Sequence, residues 1–354
     1  MMIKRICLLI LALFTIASTT TTYAEEIVLK TQYPSNYVIK EGDTLWDIAS
    51  RFLRDPWRWP DIWQVNPQIK NPHLIYPGDE VVLTFVDGKP QLVLKRANTT
   101  RHDLRTVKLS PSIRTRPLRK AIPTIPVDAI QQFLSRPAVV TKETLESLPY
   151  VLNTREHRLI AGTGDTLYVR GVTPSSSTRY TIVRPGKKYI DIVDGDKVEM
   201  GLEATYIGEA NIEKFGDPAT AIITHAAREV IKGDRLMPAI SQAMEYNFTP
   251  HAPKNKIDGR IISVVEGLSR IGQFQTVVIN RGTANGMEKG HVLAIYQKGN
   301  TIDDEFYDGW NDEVTLPSEH AGYILLFRIF DNISYGLIMK ASREIHLMDK
   351  VANP

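Results

Sequence analysis

Cysteine is almost absent from this chain, which has one, Cys7, among 354 residues. Cys7 lies in an N-terminal segment that we expect to be cleaved off. The mature protein would then have no disulfide, no thiol nucleophile and no thiolate metal ligand. This excludes cysteine peptidases and L,D-transpeptidases, and it leaves hydrophobic cores as the source of stability.

Histidine and carboxylate patterns typical of hydrolases are also absent. The eight histidines include no His-x-His or His-Glu-x-x-His spacing, so the sequence offers no paired-histidine zinc site. The Gly-containing stretch 161–164 is too short for a phosphate-binding loop, and ordinary helical surface spacing explains Glu143 and Glu146. We therefore predict a protein that is not an enzyme and that has no catalytic residue, no metal and no cofactor.

Only one long apolar run is present, from Ile6 to Ala17, after Lys4 and Arg5. It is shorter than the roughly 20 apolar residues that cross a bilayer. Small residues around Ala24 complete the pattern of a signal peptide over residues 1–24. The pattern predicts export across the inner membrane to the periplasm or cell envelope. We expect no transmembrane segment in the mature chain.

Charge of one sign is not in excess over the whole chain, with 43 Lys and Arg against 40 Asp and Glu. This balance argues against nucleic acid as a partner. Between Lys95 and Lys120, however, nine residues are basic and only Asp103 is acidic. We predict a basic, proline-containing linker over residues 87–126 and a helical connector over 127–149, with a short helix at 127–135. The linker is either a solvated spacer or a strip that attracts an anionic surface.

Residues 35–86 show the pattern of a small α/β module. A short strand at Tyr37–Lys40 is followed by a turn at Gly42, and Asp43 or Thr44 can cap a helix with Asp47 completing a capping box. Pro60 begins a second helix, and a turn at residues 76–79 leads into a strand from Glu80 to Phe85. The predicted order is strand, helix, helix, strand.

This order, and the residues in it, resemble the LysM family. The matching pieces are Val38, Gly42-Asp43-Thr44-Leu45, Ile48-Ala49, Asn66 and Ile75-x-Pro77-Gly78-Asp79-x-Val81. The resemblance implies a βααβ module that binds N-acetylglucosamine-containing glycans, and hence peptidoglycan as the partner. The stretch Arg54–Trp59 is longer and more aromatic than the usual turn between the helices, as in an enlarged variant from proteobacterial proteins.

The resemblance also implies a shallow glycan groove between two loops. It places Gly42, Asp43, Thr44 and Leu45 on one side and Leu74, Ile75, Tyr76, Pro77 and Gly78 on the other. Backbone N–H and C=O groups in such loops can bond an acetamido group, while apolar side chains cover the sugar.

Four of the five tryptophans, at positions 46, 57, 59 and 63, also fall in this module. We expect Trp46 and Trp63 in the core, because so small a module has little else to bury. For Trp57 and Trp59 two roles stay open, burial in the core or stacking on sugars.

The C-terminal half contains an internal repeat. Residues 221–238 resemble residues 337–354, and at an offset of 115 five residues including an Arg-Glu pair (Arg228-Glu229 and Arg343-Glu344) are identical. Upstream, residues 165–171 resemble 275–282, and Tyr206-Ile207 is matched with Tyr323-Ile324. Short alternating runs between turn signals predict mainly-β modules, small barrels or sandwiches, at 150–245 and 255–354.

These observations predict a multidomain α+β protein with a LysM module followed by two tandem mainly-β modules. The interpretation is an envelope adaptor that binds peptidoglycan and presents residues 150–354 to an envelope protein partner. Two alternatives stay open. The C-terminal half can bind a different polysaccharide, or the chain can be an unrecognised peptidoglycan hydrolase.

Overall fold

A computed structural model describes residues 27–63, 75–95, 121–126, 129–130, 139–155, 158–174, 177–239, 248–265, 271–303 and 313–354. The predicted signal peptide, residues 96–120 of the basic strip and most of the predicted 127–135 helix lie outside these ranges. Within them, no helix has the length and apolar character needed to cross a bilayer.

The N-terminal module contains two short helices beside a sheet. Its elements are β1 (Asn36–Val38), α1 (Leu45–Phe52), a 3-10 turn (Pro56–Arg58), α2 (Trp59–Trp63), β2 (Glu80–Val86) and β3 (Lys89–Lys95). Thr44 caps α1: its hydroxyl accepts from the Asp47 amide, and the Asp47 side chain accepts from the Thr44 amide. The predicted capping box is therefore confirmed, with Thr44 as the N-cap.

The apolar residues of both helices other than Trp46 pack in one core with the sheet, which includes Leu45, Ile48, Phe52, Ile62 and Val81. Burial of each such side chain contributes about 1.5–3 kcal/mol to folding.

The sheet of this module has a third strand, in a stretch whose sequence predicted a linker. β1 pairs antiparallel with β2, and β2 pairs with β3 along its whole length. The turn between β2 and β3 holds Asp87 at φ 49° and Gly88 at φ 76°. Both residues are in the left-handed region, as a tight hairpin turn requires. The module thus extends to Lys95.

Six strands that follow a short helix, α3 (Lys142–Ser147), form a closed unit, ring 1. The strands are β5 (Tyr150–Thr154), β6 (Thr166–Arg170), β7 (Arg179–Val193), β8 (Asp196–Lys214), β9 (Ala219–Ala226) and β10 (Arg235–Pro238), and β4 (Val139–Val140) adds to the outer side of β8. All pairings are antiparallel, and the β8–β9 pairing closes the ring around a core that includes Leu167, Ile182 and Ile223.

Ring 2 is a closed six-stranded barrel with its own core, which includes Ile261, Leu293 and Ile338. Its strands are β11 (Asp258–Val264), β12 (Thr276–Ile279), β13 (Val292–Gln297), β16 (Glu319–Ile329), β17 (Ser334–Ala341) and β18 (Lys350–Ala352). A 3-10 turn (Thr283–Asn285) precedes β13, and a separate hairpin of β14 (Thr301–Asp303) and β15 (Glu313–Thr315) lies between β13 and β16.

The two rings have the same neighbour order. Around ring 1 the order is β5-β6-β9-β8-β7-β10, and around ring 2 it is β11-β12-β17-β16-β13-β18. Numbered from the first strand of each ring, both orders read first, second, fifth, fourth, third, sixth.

One detail of the predicted repeat alignment, the match of Tyr206-Ile207 with Tyr323-Ile324, is wrong. Ala226 pairs with Gly208 and Ala341 pairs with Gly322. The structural equivalent of Ile207 is therefore Ala321 and not Ile324. The Arg-Glu pairs at 228–229 and 343–344 are equivalent, and both lie in exposed bends after β9 and β17.

A large hydrophobic cluster joins the modules. Alternate residues on the outer face of ring 2, such as Val292, Phe327 and Tyr335, pack with Trp46 and Trp57 of the N-terminal module. The far half of the β7–β8 hairpin also reaches ring 2, where the Tyr189 and Tyr335 hydroxyls lie 2.8 Å apart. Most of these contacts are apolar and all are buried, so the modules pack directly against one another.

Candidate functional site

The two predicted groove loops are held side by side by the end of the β1–β2 pairing. The Gly78 amide donates to the Ile39 carbonyl at 2.8 Å, and the Ile39 amide donates to the Asp79 carbonyl at 2.9 Å. Gly42 and Gly78 have φ values of 91° and 94°. A side chain at either position would be strained by the backbone conformation alone, since a Cβ would meet no atom within 4 Å.

Asp43 fixes the shape of the first loop and does not cap the helix. Its Oδ2 accepts from the Tyr37 hydroxyl at 2.9 Å and from the Lys40 amide at 2.8 Å. Burial and the hydrogen bond to Asp43 raise the pKa of Tyr37, so the phenol stays protonated and donates at neutral pH. The guanidinium of Arg51 lies 4.2 Å from the centre of the Tyr37 ring.

The second loop is closed by its own carboxylate. Asp79 is buried, and its Oδ2 accepts from the Tyr76 amide at 3.2 Å. Tyr76 and Pro77 are half-buried and Gly78 is exposed, whereas Ile75 is fully buried. Leu74 lies outside the described residues. The structure thus brings Gly42–Leu45 and Ile75–Gly78 to one edge of the module, as the resemblance implied.

The groove between these loops is occupied by another part of the chain, residues 121–126, which form the groove segment. The amides of Leu45 and Trp46 donate to the carbonyls of Pro123 and Thr124 at 3.0 and 3.2 Å, and the Ile122 amide donates to the Ile75 carbonyl at 2.9 Å. The sequence predicted these residues to be linker. Their sequence, AIPTIP, has no local signal of docking.

The predicted stacking tryptophans are buried. Trp57 is 8% exposed and packs in the cluster with ring 2, and Trp59 is 3% exposed in the module core. Neither ring presents a face to a sugar in this structure, so its burial does not fit the stacking role. The enlarged turn that carries Trp57 contacts ring 2 instead. In the same turn, Asp55 accepts a 2.7 Å hydrogen bond from the Tyr323 hydroxyl.

Apart from the groove loops, three polar side chains at ring 2 lie close together: His251, Glu288 and His291. They form the one group of three potential metal ligands within the described ranges. The Nδ1 atom of His291 accepts a 3.1 Å hydrogen bond from the Glu288 amide, and burial lowers the pKa of His291. The neutral ring therefore carries its proton on Nε2 and has no free lone pair for a metal. This geometry favours a structural role.

Comparison with known proteins agrees with the N-terminal geometry. The chain is 40% identical over 58 residues to the uncharacterized protein YqbP of Bacillus subtilis (strain 168), a match that covers 14% of this chain and 26% of that protein. The chain thus spans about a quarter of the length of that relative. Residues 37–84, which carry both groove loops and both helices, match the LysM domain. The chain therefore contains a LysM domain at residues 37–84.

Proposed function

We propose that the protein is a non-catalytic envelope adaptor that binds the N-acetylglucosamine-containing glycan of peptidoglycan through its LysM domain. The observation that carries the proposal is the pair of loops at 42–45 and 75–78. These loops place the Leu45 amide and the Ile75 carbonyl at the groove, where both are engaged by the backbone of another segment. Backbone groups that bond a peptide can bond an acetamido group, because both present an amide N–H and C=O.

In this proposal the protein is exported by its signal peptide and acts in the periplasm or cell envelope. The rings at 150–354 present a surface to an envelope protein. The basic strip at 96–120 lies in the connection between the LysM domain and the rings, where it can contact an anionic surface.

The two rings are, in the same proposal, copies of one module. The common strand order supports this, and so do matching details outside the strands. Ala161 bridges to Val230 in ring 1, and Ile271 bridges to Ile345 in ring 2. Duplication would give the adaptor two related docking faces.

The test is pelleting of the full chain with purified sacculi. We expect Tyr76→Ala to weaken pelleting, because Tyr76 is half-buried beside the groove. Phe85→Ala is the matched control, since Phe85 is an exposed aromatic of the same domain at the far end of β2. Asp43→Ala should also weaken pelleting by releasing Tyr37 and Lys40 from the loop. Folded variants that pellet like the unchanged chain would contradict the groove assignment.

A further inference from the structure

The groove segment is bound between the two LysM loops through its backbone. It makes three backbone hydrogen bonds: Ile122 donates to one loop, and Pro123 and Thr124 accept from the residues that begin α1 beside the other. Pro123 has no amide to leave unsatisfied. The contacts use the backbone of Leu45 and Ile75, two residues that line the proposed glycan groove.

Side-chain burial holds the segment at both ends. Ile122 is 5% exposed and belongs to the LysM core, and Ile125 is fully buried in the cluster shared by Trp46, Trp57 and the outer face of ring 2. The segment therefore bridges the LysM domain and the junction with ring 2. Any ligand that takes the groove must break hydrogen bonds to the segment.

We infer that the groove segment is an intrachain competitor, which a glycan must displace before the LysM domain can bind. The inference rests on the proposed function, because it takes the loops at 42–45 and 75–78 as the glycan site. The segment is joined to β3 through residues 96–120. Because the segment and the loops belong to one chain, their contact is intramolecular and does not weaken on dilution. A weak set of backbone contacts is then enough to reduce the fraction of open grooves and hence the apparent affinity.

The unsatisfied hydroxyl of Thr124 favours reversible docking. Thr124 is 1% exposed, and its Oγ1 has no hydrogen-bond partner among the residues that the structure describes. Undocking gives this hydroxyl access to water, which offsets part of the loss of the backbone contacts. Displacement also detaches Ile125 from the junction with ring 2, so glycan binding would loosen the contact between the LysM domain and the rings.

The experiment compares full-length variants in a calorimetric titration with the tetramer of N-acetylglucosamine. Ile122→Ala weakens docking without altering a groove loop. Ile130→Ala is the matched control, because Ile130 is a similarly buried isoleucine in the same part of the chain and, among the described residues, has no hydrogen bond to the loops. We expect Ile122→Ala to bind the tetramer at least fivefold more tightly than the unchanged chain. Ile130→Ala should bind the tetramer with the affinity of the unchanged chain.

A second measurement needs no variant. Hydrogen exchange of the Ile122 amide should accelerate in the unchanged chain at saturating tetramer, because its bond to Ile75 is broken. The Ile48 amide, which is bonded to Thr44 within α1, should keep its rate.

Three results would overturn the inference. If the tetramer binds while the Ile122 amide keeps its protection, the segment is not displaced, although the proposed function stands. If Ile130→Ala gains affinity as Ile122→Ala does, general loosening explains the gain. If neither the unchanged chain nor any variant binds the tetramer or sacculi, the proposed function is wrong, and the inference that rests on it is wrong too.

Discussion

Asp234 and Asp349 occupy the same turn in the two rings, but they have different partners. Each carboxylate accepts from the amide three residues earlier, Ile231 at 2.9 Å and His346 at 2.7 Å. In ring 1, Arg184 also donates to Asp234 from Nε at 2.7 Å and from Nη2 at 2.9 Å. Asp349 has no ion-pair partner within the described part of the chain, and burial raises its pKa.

The same substitution should therefore have opposite effects in the two rings. An Asn side chain keeps the acceptor oxygen but removes the charge. Asp234→Asn should destabilise ring 1 by about 1.5–3 kcal/mol, the usual contribution of hydrogen bonds to a charged group, because it weakens both bonds from Arg184. Asp349→Asn should leave ring 2 unchanged or more stable at neutral pH, because it removes a buried carboxylate that folding desolvates.

The pH dependence of the second effect follows from the raised pKa. The folded state holds the proton of Asp349 more tightly than the unfolded state does, so ionisation costs stability as the pH rises through the folded pKa. Any gain from Asp349→Asn should thus be present at pH 7, shrink as the pH falls through the raised pKa, and be lost below the ordinary aspartate range near pH 4.

Native-state hydrogen exchange can report each ring separately. The Val151 amide donates to the Asp234 carbonyl, and the Ile261 amide donates to the Asp349 carbonyl, at 2.8 and 3.0 Å. A loss of about 2 kcal/mol in ring 1 would speed exchange of Val151 roughly 30-fold. Equal acceleration of both amides in their own variants would refute the reasoning, because the partner of the carboxylate would then not matter.

Two further predictions concern the LysM domain and ring 2. Thr44→Ala removes the hydroxyl that caps α1 and that bonds Asp47. Urea unfolding followed by tryptophan fluorescence should therefore show a free energy of unfolding lower by about 0.5–2 kcal/mol. An unchanged unfolding midpoint would contradict the capping role. Burial and the neighbouring His251 lower the pKa of His291, so ring 2 should lose stability as the pH falls through the ordinary histidine range near 6.5. His291→Asn, which keeps an acceptor for the Glu288 amide, should show a flatter pH profile in the same range, whereas a profile as steep as that of the unchanged chain would assign the effect to another group.

The LysM domain could be predicted from the sequence because its signals are local. A glycine at positive φ, a hydroxyl cap and a carboxylate three residues later lie within six positions, from Gly42 to Asp47. Each of these three positions has a requirement, for backbone conformation or for hydrogen bonding, that few other residue types meet. The third strand also had a local signal, the Asp87-Gly88 turn between two alternating runs, which the basic composition of the following stretch obscured.

The occupied groove could not be predicted in this way. The groove segment contacts the loops through backbone atoms. Every residue has these atoms, so the docking cannot be recognised from a pattern of side chains in the sequence. Its partner residues are also distant in sequence: Ile122 bonds Ile75, and Thr124 bonds Trp46. The burial of Trp57 was hidden for a related reason, because it depends on ring 2, whose outer face is formed more than 200 positions later.

The weak sequence match between the rings has a physical explanation in their turns. Gly164 and Gly233 of ring 1 have φ values of 90° and 88°, and the corresponding residues of ring 2, Phe274 and Met348, have φ values of 64° and 71°. The backbone therefore takes the left-handed conformation at these two positions of ring 2 without a glycine, at a cost of about 1–2 kcal/mol for each side chain.

Part of ring 2 is buried on both faces, and this burial offsets the cost. Residues such as Leu293 pack inside the barrel, and neighbours such as Val292 pack outside against the tryptophans of the LysM domain. A strand that is buried on both faces contributes more to the stability of the barrel than a strand with one face exposed to solvent. The contact with the LysM domain thus contributes to the stability of ring 2, and it is the same contact that displacement of the groove segment would loosen.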